Sequence, residues 1–259
     1  MTTKILAFAG HKQSGKSTSC NFLHGYQLRA HHIVDQFAVT EKGDLVINTA
    51  IIDSEGKEET SQAILDTSRD DVEFAEWAAY SMWPYVKRYS FAAALKQIAT
   101  GIFELKSEQV YGAESQKNSK TWFKWEDMPG PALKKGRMTA REVLQVVGTD
   151  FFRSIYKNVW VDSCLRQIKE DGSELALISD VRFENEILAI QNAGGFVIGL
   201  KRNPSKKKDK HPSETAIEKC IDLCDATIDN QSLTIPQQNE QIYLTIKHLD
   251  NIPDIFAEE

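Results

Sequence analysis

The sequence predicts an α/β fold whose core is a five-stranded parallel sheet flanked by helices. Five short segments have the length and the largely apolar character of buried strands, at residues 5–9, 85–90, 175–180, 196–201 and 226–229. Segments with helical periodicity separate them, and strands that alternate with helices favour a parallel sheet covered on both faces. Because ligands bind at the carboxyl ends of parallel strands, we expect the functional residues just after these segments.

The predicted helices carry apolar residues at helical spacing and have recognisable ends. Pro84 stops the helix that begins near residue 70, Thr139 and Glu142 form a capping box at the start of another, and the glycines at 194 and 195 close a third. In chain order, the helices are predicted at residues 19–26, 70–81, 91–103, 139–148, 159–168, 183–193 and from residue 235 onward.

Two stretches depart from the alternation of strands and helices. Residues 37–40 and 45–52 predict a β-hairpin, inserted into the fold within a segment from about 33 to 70, which either covers a substrate or decorates the surface. Residues from about 111 to 137 are polar and rich in Trp, Pro and Gly, which predicts a flexible loop. We expect residues 1–259 to form a single domain.

Composition places the chain among ordinary globular proteins. It has 259 residues, of which 41% are apolar and 26% charged, and a net charge of −6. An acidic total disfavours direct binding to a nucleic-acid backbone, although a small anionic substrate needs only a local basic pocket.

The cysteines and the apolar runs predict a cytoplasmic protein. The four cysteines are scattered without a disulfide pattern, and Cys220 and Cys224 alone are close enough to suggest metal binding, with small buried side chains as the alternative. The chain begins without a signal-peptide pattern, and no apolar run approaches the length of a membrane span.

A glycine-rich segment after the first strand carries the phosphate-loop pattern G-x-x-x-x-G-K-[ST]. Gly10 and Gly15 let successive N–H groups converge on one anion, Lys16 would reach the β- and γ-phosphates, and Ser17 would ligate Mg²⁺. The alternative is a glycine-rich turn with an exposed lysine. The residues predicted to bind a nucleoside triphosphate are Gly10, Gln13, Ser14, Gly15, Lys16, Ser17 and Thr18.

Four residues are predicted to be catalytic: Lys16, Arg141, and two residues at the end of the third strand, Asp180 and Arg182. Asp180 ends a buried strand and would hold Mg²⁺ together with Ser17, with a helix N-cap as the alternative. Arg182 would bind a phosphate or neutralise the transferring phosphoryl group, with a salt bridge to Glu184 or Glu186 as the alternative.

Other cations are candidates on weaker grounds. Arg141 lies in the first turn of a helix, where the helix dipole disfavours a cation unless an anion binds there. Arg202 follows the fourth strand and, with the lysine-rich residues 206–210 and His211, could cover ATP or belong to an exposed loop. Further basic candidates, each equally well explained as a solvated surface residue, are Arg88, Lys96, Arg137 and Arg153. Of these, Arg88 and Lys96 are predicted to bind the acceptor substrate.

The ordered set of motifs resembles the deoxynucleoside monophosphate kinases of tailed bacteriophages. Besides residues 10–18, the motifs are YSFA (89–92) with Leu95 and Lys96, TAREVLQ (139–145), GTD (148–150), NVWV (158–161), ISDVRF (178–183) with Asn185 and Glu186, and His211 with Ser213 and Glu214. The resemblance runs to Asn230. It departs at Ala93 and Glu184, where the family usually has proline, and these changes affect loop stiffness more than charge.

The resemblance implies a P-loop NTPase kinase fold that transfers the γ-phosphate of ATP to a dNMP, with Mg²⁺, for phage DNA synthesis. It places Asp180 and Arg182 at the reaction centre and Arg202 near the ATP phosphates. Beside the monophosphate acceptor it places Arg141, Gln145, Thr149 and Asp150. An acceptor phosphate is already an oxyanion, so positioning and charge would suffice without a general base.

Two other functions stay open at this point. One is a P-loop kinase of another small molecule, such as a coenzyme precursor or a sugar acid. The other is a nucleotide-dependent switch, since residues 53–56 and 127–130 fit D-x-x-G, although the chain has no N-K-x-D motif. The expected partners are ATP and dNMP and neither nucleic acid nor membrane. A homodimer is one open oligomeric state, and a viral protein would lie in the host cytoplasm.

Overall fold

A computed structural model describes residues 3–52, 58–67, 69, 71–128, 134–202, 212–249 and 255–256, with only the backbone at 49–52, 58–59 and 212–215. The chain divides into two compact units. The sheet unit comprises Met1–Ser90 with Gln167–Glu259, and the middle unit comprises Phe91–Arg166.

The elements follow one another in the order that the sequence predicts, with several additions. The first part of the sheet unit contains β1 (Lys4–Gly10), α1 (Lys16–Ala30), β2 (Phe37–Val39), β3 (Leu45–Ile52), β4 (Glu58–Ile64), α2 (Val72–Ser81) and β5 (Val86–Tyr89). Next come α3 (Ala92–Gly101), α4 (Ser107–Tyr111), α5 (Glu114–Lys117), β6 (Lys120–Lys124), β7 (Arg137–Thr139), α6 (Ala140–Gln145), α7 (Arg153–Ile155) and α8 (Val159–Asp171). The chain continues with β8 (Leu175–Val181), α9 (Glu184–Asn192), β9 (Phe196–Leu200), α10 (Pro212–Cys220), β10 (Ala226–Ile228) and α11 (Ile235–Lys247).

The central sheet confirms the predicted fold class. Its five strands are all parallel, in the order β10-β9-β1-β8-β5. β1 lies between β8 and β9, so its side chains from Leu6 to Ala9 are fully buried. This position explains why the strand is a continuous apolar run, as buried parallel strands are. The carboxyl edge of the sheet therefore carries the loops after β1, β5, β8, β9 and β10.

The inserted segment is a three-stranded antiparallel sheet, in the order β2-β3-β4. The predicted hairpin is confirmed as β2 and β3, but the expectation that it ended there is wrong because β4 continues it. This sheet packs directly on α1: a Cβ at Gly25 would collide with the ring of Phe37 and would lie 2.7 Å from Leu45 Cδ1. Its first turn also contacts α1, since Asn21 Nδ2 donates a hydrogen bond to the carbonyl of Gly43 (2.8 Å).

The expectation of a loop over residues 111–137 is wrong for most of that segment. β6 pairs antiparallel with β7, and Lys120 lies opposite Thr139. Met138 from β7 is fully buried in an apolar cluster with Val110 and Val143. Local polarity concealed this pair because β6 is half exposed and its partner comes 13 residues after its end. Residues 129–133 lie outside the described part of the chain.

The helix predicted to stop near Gly148 continues to Ile155. A π-helical stretch, Val146–Phe152, joins α6 to α7. Gly148 serves packing here, since a Cβ on it would lie 2.5 Å from Leu95 Cδ2. Its carbonyl accepts a hydrogen bond from the buried indole of Trp160 (2.9 Å). A glycine that permits a close approach between two segments was thus mistaken for a helix end.

Candidate functional site

The loop between β1 and α1 has the backbone conformation of an anion cradle. Gly10 (φ 155°), Gln13 (φ 60°) and Gly15 (φ 100°) all have positive φ. Gly15 is the N-cap of α1 and has no side chain that could cap the first turn, where helix N–H groups can donate to a bound anion. The hydroxyl of Ser14 is completely buried and has no hydrogen-bond partner among the described residues.

Lys16 lies against this loop. Its side chain is buried, and the ammonium donates hydrogen bonds to the carbonyls of Gly10 (2.7 Å) and His11. The lysine therefore does not extend into solvent, as it would in a chance glycine-rich turn. The positive charge is held at the mouth of the loop.

Arg88 brings a second cation to the phosphate loop. Its Nη2 donates to the hydroxyl of Ser17 (2.9 Å), and its Nε donates to the hydroxyl of Ser179 (3.2 Å). Its Nη1 lies 3.5 Å from Asn21 Oδ1. Arg88 was expected to contact a substrate, and the structure places it beside the hydroxyl predicted to ligate Mg²⁺.

Asp180 lies near the end of β8, where the hydroxyl of Ser90 donates a hydrogen bond to its Oδ2 (2.7 Å). The alternative role of Asp180 as a helix N-cap is wrong. The N-cap of α9 is Phe183, and the buried carboxylate of Glu186 accepts from the N–H groups of Phe183 (3.0 Å) and Arg182 (2.7 Å). The Asp180 carboxylate therefore stays at the sheet edge that also carries the phosphate loop.

Two buried amides behind the phosphate loop were missed by the sequence analysis. Asn230 donates to the carbonyl of Ser14 (2.7 Å), and Gln238 donates to the hydroxyl of Ser19 (3.1 Å). Asn230 comes shortly after β10 and could have been found from its place at the carboxyl edge. Gln238 lies inside α11 and gives no local signal.

The segment around Arg202 is only partly described. The backbone N–H of Arg202 donates to Asn230 Oδ1 (3.0 Å), which places this residue two positions after the end of β9 and beside the loop that follows β10. The lysine-rich residues 206–210 and His211, predicted to cover ATP, lie outside the described residues.

The predicted acceptor-side residues lie in the middle unit. Arg141 extends from the first turn of α6, where its Nη2 pairs with Glu114 Oε2 (2.7 Å) and its Nε donates to Asn118 Oδ1 (3.1 Å). A carboxylate of the same unit thus balances this cation. The other residues of this set are Gln145 at the end of α6, Thr149 and Asp150 in the π-helical stretch, and Lys96 of α3, whose ammonium lies 4.7 Å from the ring centre of Tyr111.

The capping box at the start of α6 is confirmed. Thr139 N–H donates to Glu142 Oε2 (2.9 Å), and Glu142 N–H donates to Thr139 Oγ1 (3.2 Å). Burial alone would raise the pKa of Glu142, but the hydrogen bond from Thr139 and the ammonium of Lys134 hold that pKa below its usual range. The carboxylate therefore keeps the charge that fixes the start of the helix bearing Arg141.

Two titratable groups on α1 are buried near Arg88. Burial, together with the nearby Arg88 guanidinium, lowers the pKa of His24 to about 3. Burial raises the pKa of the Cys20 thiol to about 12. At neutral pH both groups are uncharged, so neither adds charge to the phosphate-loop region.

The four cysteines do not form a metal centre with other described residues. All four cysteines lie within the described residues and are reduced thiols, and burial raises the pKa of Cys220 to about 11 and that of Cys224 to about 12. Among the described residues, no three His, Cys, Asp or Glu side chains form a group that could hold a metal ion. Within the same residues, every helix is too short or too polar to cross a bilayer.

Sequence comparison with known proteins finds a family that matches most of the chain. Residues 4–236 match the sequence model of the family described as deoxynucleotide monophosphate kinase. A protein of Acanthamoeba polyphaga mimivirus, provisionally named a deoxynucleotide monophosphate kinase, is 28% identical over 158 residues. That alignment covers 56% of this chain and 75% of the viral protein.

Proposed function

Because the chain belongs to the deoxynucleotide monophosphate kinase family, it is a phosphotransferase for deoxynucleoside monophosphates, and we propose that ATP is the phosphoryl donor. The products would be dNDP and ADP. The observation that carries this proposal is the phosphate loop, where the Lys16 ammonium donates to the Gly10 carbonyl and the Arg88 guanidinium donates to the Ser17 hydroxyl in the first turn of α1. A nucleoside triphosphate presents the anionic tail that such a cradle binds.

The residues present fit a triphosphate with Mg²⁺. The buried Ser14 hydroxyl without a partner among the described residues is the kind of polar atom that a bound phosphate satisfies. Mg²⁺ takes few protein ligands and prefers oxygen, and Ser17 and Asp180 would supply a hydroxyl and a carboxylate. Bound there, the ion would neutralise charge on the β- and γ-phosphate oxygens.

In the sheet unit, different side chains would position the phosphates of ATP and neutralise their charge. Lys16 would bind the β- and γ-phosphates, and Arg182 would stabilise the charge that develops on the transferring group. Ser90 holds the Asp180 carboxylate in one orientation through its hydrogen bond. Arg202 would contact the ATP phosphates, together with the loop residues Gln13 and Thr18.

The acceptor side of the proposal rests on the middle unit. Arg141, with Gln145, Thr149, Asp150 and Lys96, would bind the dNMP. The ion pair between Arg141 and Glu114 supports this role, because an incoming phosphate could replace the exposed carboxylate as the partner of the guanidinium. An exposed ion pair is weak, so a doubly charged phosphate can displace it at little cost.

The alternative of a nucleotide switch has little support. Residues 53–56 of the first D-x-x-G segment lie outside the described residues. In the second segment, Asp127 ends a 3₁₀ turn after β6, which pairs with β7 and is not a strand of the parallel sheet. The cytoplasmic location and the homodimer expected from the sequence stay predictions.

Lys16→Ala tests the proposal. The purified chain, with Mg²⁺ and ATP, should form ADP and dNDP in equal amounts from at least one dNMP. Lys16→Ala should reduce this turnover by at least about 10²-fold, because it removes a charge that acts on the transferring group. Circular dichroism should show an unchanged fold.

A matched variant controls for the loss of one positive charge. Lys169→Ala removes an exposed ammonium from α8 and should leave turnover as in the wild type. Retained transfer in Lys16→Ala would refute the role of the loop. ADP release that requires an acceptor other than a nucleotide would refute ATP-to-dNMP transfer.

A further inference from the structure

A buried hydrogen-bonded pair, Asn230 and Gln238, lies directly behind the phosphate loop. Both side chains are buried, at 0% and 3% exposure. Asn230 Nδ2 donates to the Ser14 carbonyl (2.7 Å) and to Gln238 Oε1 (2.6 Å). Gln238 Nε2 lies within hydrogen-bond reach of Ser19 Oγ (3.1 Å) and the Gly15 carbonyl (3.4 Å).

The amide of Asn230 uses its donor and its acceptor on different segments. While Nδ2 bonds to the loop after β1, Oδ1 accepts the backbone N–H of Arg202 after β9 (3.0 Å). One side chain thus ties two segments at the carboxyl edge of the sheet to the segment that follows β10. A carboxylate could replace the acceptor but not the donor, because aspartate has no N–H.

Gln238 packs closely against Gly15 of the phosphate loop. A Cβ at Gly15 would lie 2.6 Å from Gln238 Oε1 and 2.9 Å from its Nε2. The start of α11 holds Gln238 there, since the Thr234 side chain accepts from Gln237 N–H in a capping box. Glycine at this position therefore serves both the positive φ and the packing of the amide.

The consequence for the loop follows from peptide geometry. In a planar trans peptide, the C=O and the N–H of the next residue point in opposite directions. A hydrogen bond that holds the Ser14 carbonyl against Asn230 therefore turns the Gly15 N–H to the other side of the chain. The Gly15 carbonyl is held by α1 itself, because it accepts hydrogen bonds from the Ser19 N–H (2.9 Å) and the Ser19 hydroxyl (3.0 Å), and Gln238 donates to that hydroxyl (3.1 Å).

We propose that Asn230 is a positioning residue for phosphate binding, acting with Gln238. It fixes the Gly15 N–H toward the nucleotide side of the loop and holds the backbone of Arg202 beside the loop. This inference rests on the proposed function, because it assumes that the loop binds the phosphates of ATP. Among the described residues, Asn230 bonds to the Ser14 carbonyl, the Arg202 N–H and Gln238.

Steady-state kinetics of Asn230→Ala and Asn230→Asp test the inference. Each should raise the KM for ATP about tenfold, as expected when a hydrogen-bonded network loses its donor. The KM for dNMP should change less than twofold. Asn230→Ala decides the matter because it adds no charge, whereas Asn230→Asp keeps the volume and the acceptor for Arg202 but replaces the donor with a carboxylate oxygen.

Gln27→Ala is the matched control. Gln27 is also a buried amide of the sheet unit, and it donates to the carbonyl of Ile255 instead of the loop. This variant should lower the Tm without raising the KM for ATP. If the Asn230 variants do not fold, Gln238→Leu removes the donors to Gly15 and Ser19 and should raise the KM for ATP by a smaller factor.

Hydrogen exchange gives a readout without turnover. In the nucleotide-free protein, peptides that contain residues 10–18 should exchange faster in Asn230→Ala than in Gln27→Ala. An unchanged KM for ATP in folded variants with unchanged exchange in this segment would overturn the inference. A wild-type chain without any transfer would instead refute the proposed function, and exchange would still decide whether Asn230 anchors the loop.

Discussion

The buried imidazole of His24 should make the folded chain sensitive to acid. His24 is 1% exposed, and neither ring nitrogen has a hydrogen-bond partner among the described residues. Burial and the nearby Arg88 guanidinium lower its pKa from 6.5 to about 3. The folded state therefore keeps the ring neutral at a pH where the unfolded state protonates it.

The direction and the size of the effect follow from this difference. A lowered pKa in the folded state means that the contribution to stability is present above pH 6.5 and is lost as the pH falls toward 3. Between pH 7.5 and pH 5, protonation of the unfolded state should reduce the free energy of unfolding by about 2 kcal/mol. That is a large share of the roughly 5–15 kcal/mol that stabilises a typical domain.

Urea unfolding of the wild type and of His24→Leu at pH 7.5 and pH 5 measures this effect. The wild type should lose about 2 kcal/mol more than the variant. At pH 7.5 the variant should be at least as stable as the wild type, because it removes two buried nitrogens without partners among the described residues. His248→Leu, which removes an exposed imidazole, controls for the change of residue type. Equal pH dependence of the wild type and His24→Leu would refute the reasoning.

Two further substitutions test the site and the inserted sheet. Arg182→Ala should lower kcat by about 10²-fold or more with little change in ATP affinity, as steady-state kinetics and ATP titration would show; a structural Arg182 would lower the Tm and spare kcat. Gly43→Ala should lower the Tm more than Gly136→Ala. Both glycines have similar φ (88° and 85°), but among the described residues an added Cβ meets a neighbour only at Gly43, where it would collide with Thr18 Oγ1. Equal decreases of Tm in the two variants would show that the Thr18 side chain moves aside without a cost in stability.

The central sheet and the phosphate loop could be predicted because their signals are local. A strand buried on both faces must be apolar throughout, and β1 and β8 show this in sequence. The phosphate loop needs glycines and a lysine at fixed spacing, so its residue types identify it. The carboxyl-edge rule then places Asp180 and Arg202 without knowledge of strand order.

Elements whose stability depends on distant partners could not be predicted. β4 is polar and largely exposed, so only its pairing with β3 makes it a strand. Gly148 has the sequence signal of a helix end, and its packing against Leu95 becomes visible only in three dimensions.

The candidate site shows the same limit. Asn230 and Gln238 become functional candidates because segments after β9 and β10 meet the phosphate loop. Amide residues in a loop or a helix are common, so their type alone indicates nothing. The pairing of Arg141 with Glu114 likewise depends on α5, which the sequence analysis treated as loop.

The hydrogen bond from Arg88 to Ser17 bears on the order in which ligands enter. A guanidinium bonded to the predicted metal-binding hydroxyl places a positive charge where a bare divalent ion would have to approach, and like charges repel. A nucleotide that arrives already complexed with its ion carries net negative charge and is attracted instead. We therefore expect the metal ion to enter already bound to ATP. Arg88 would then exchange its hydrogen bonds to protein groups for hydrogen bonds to the incoming phosphates.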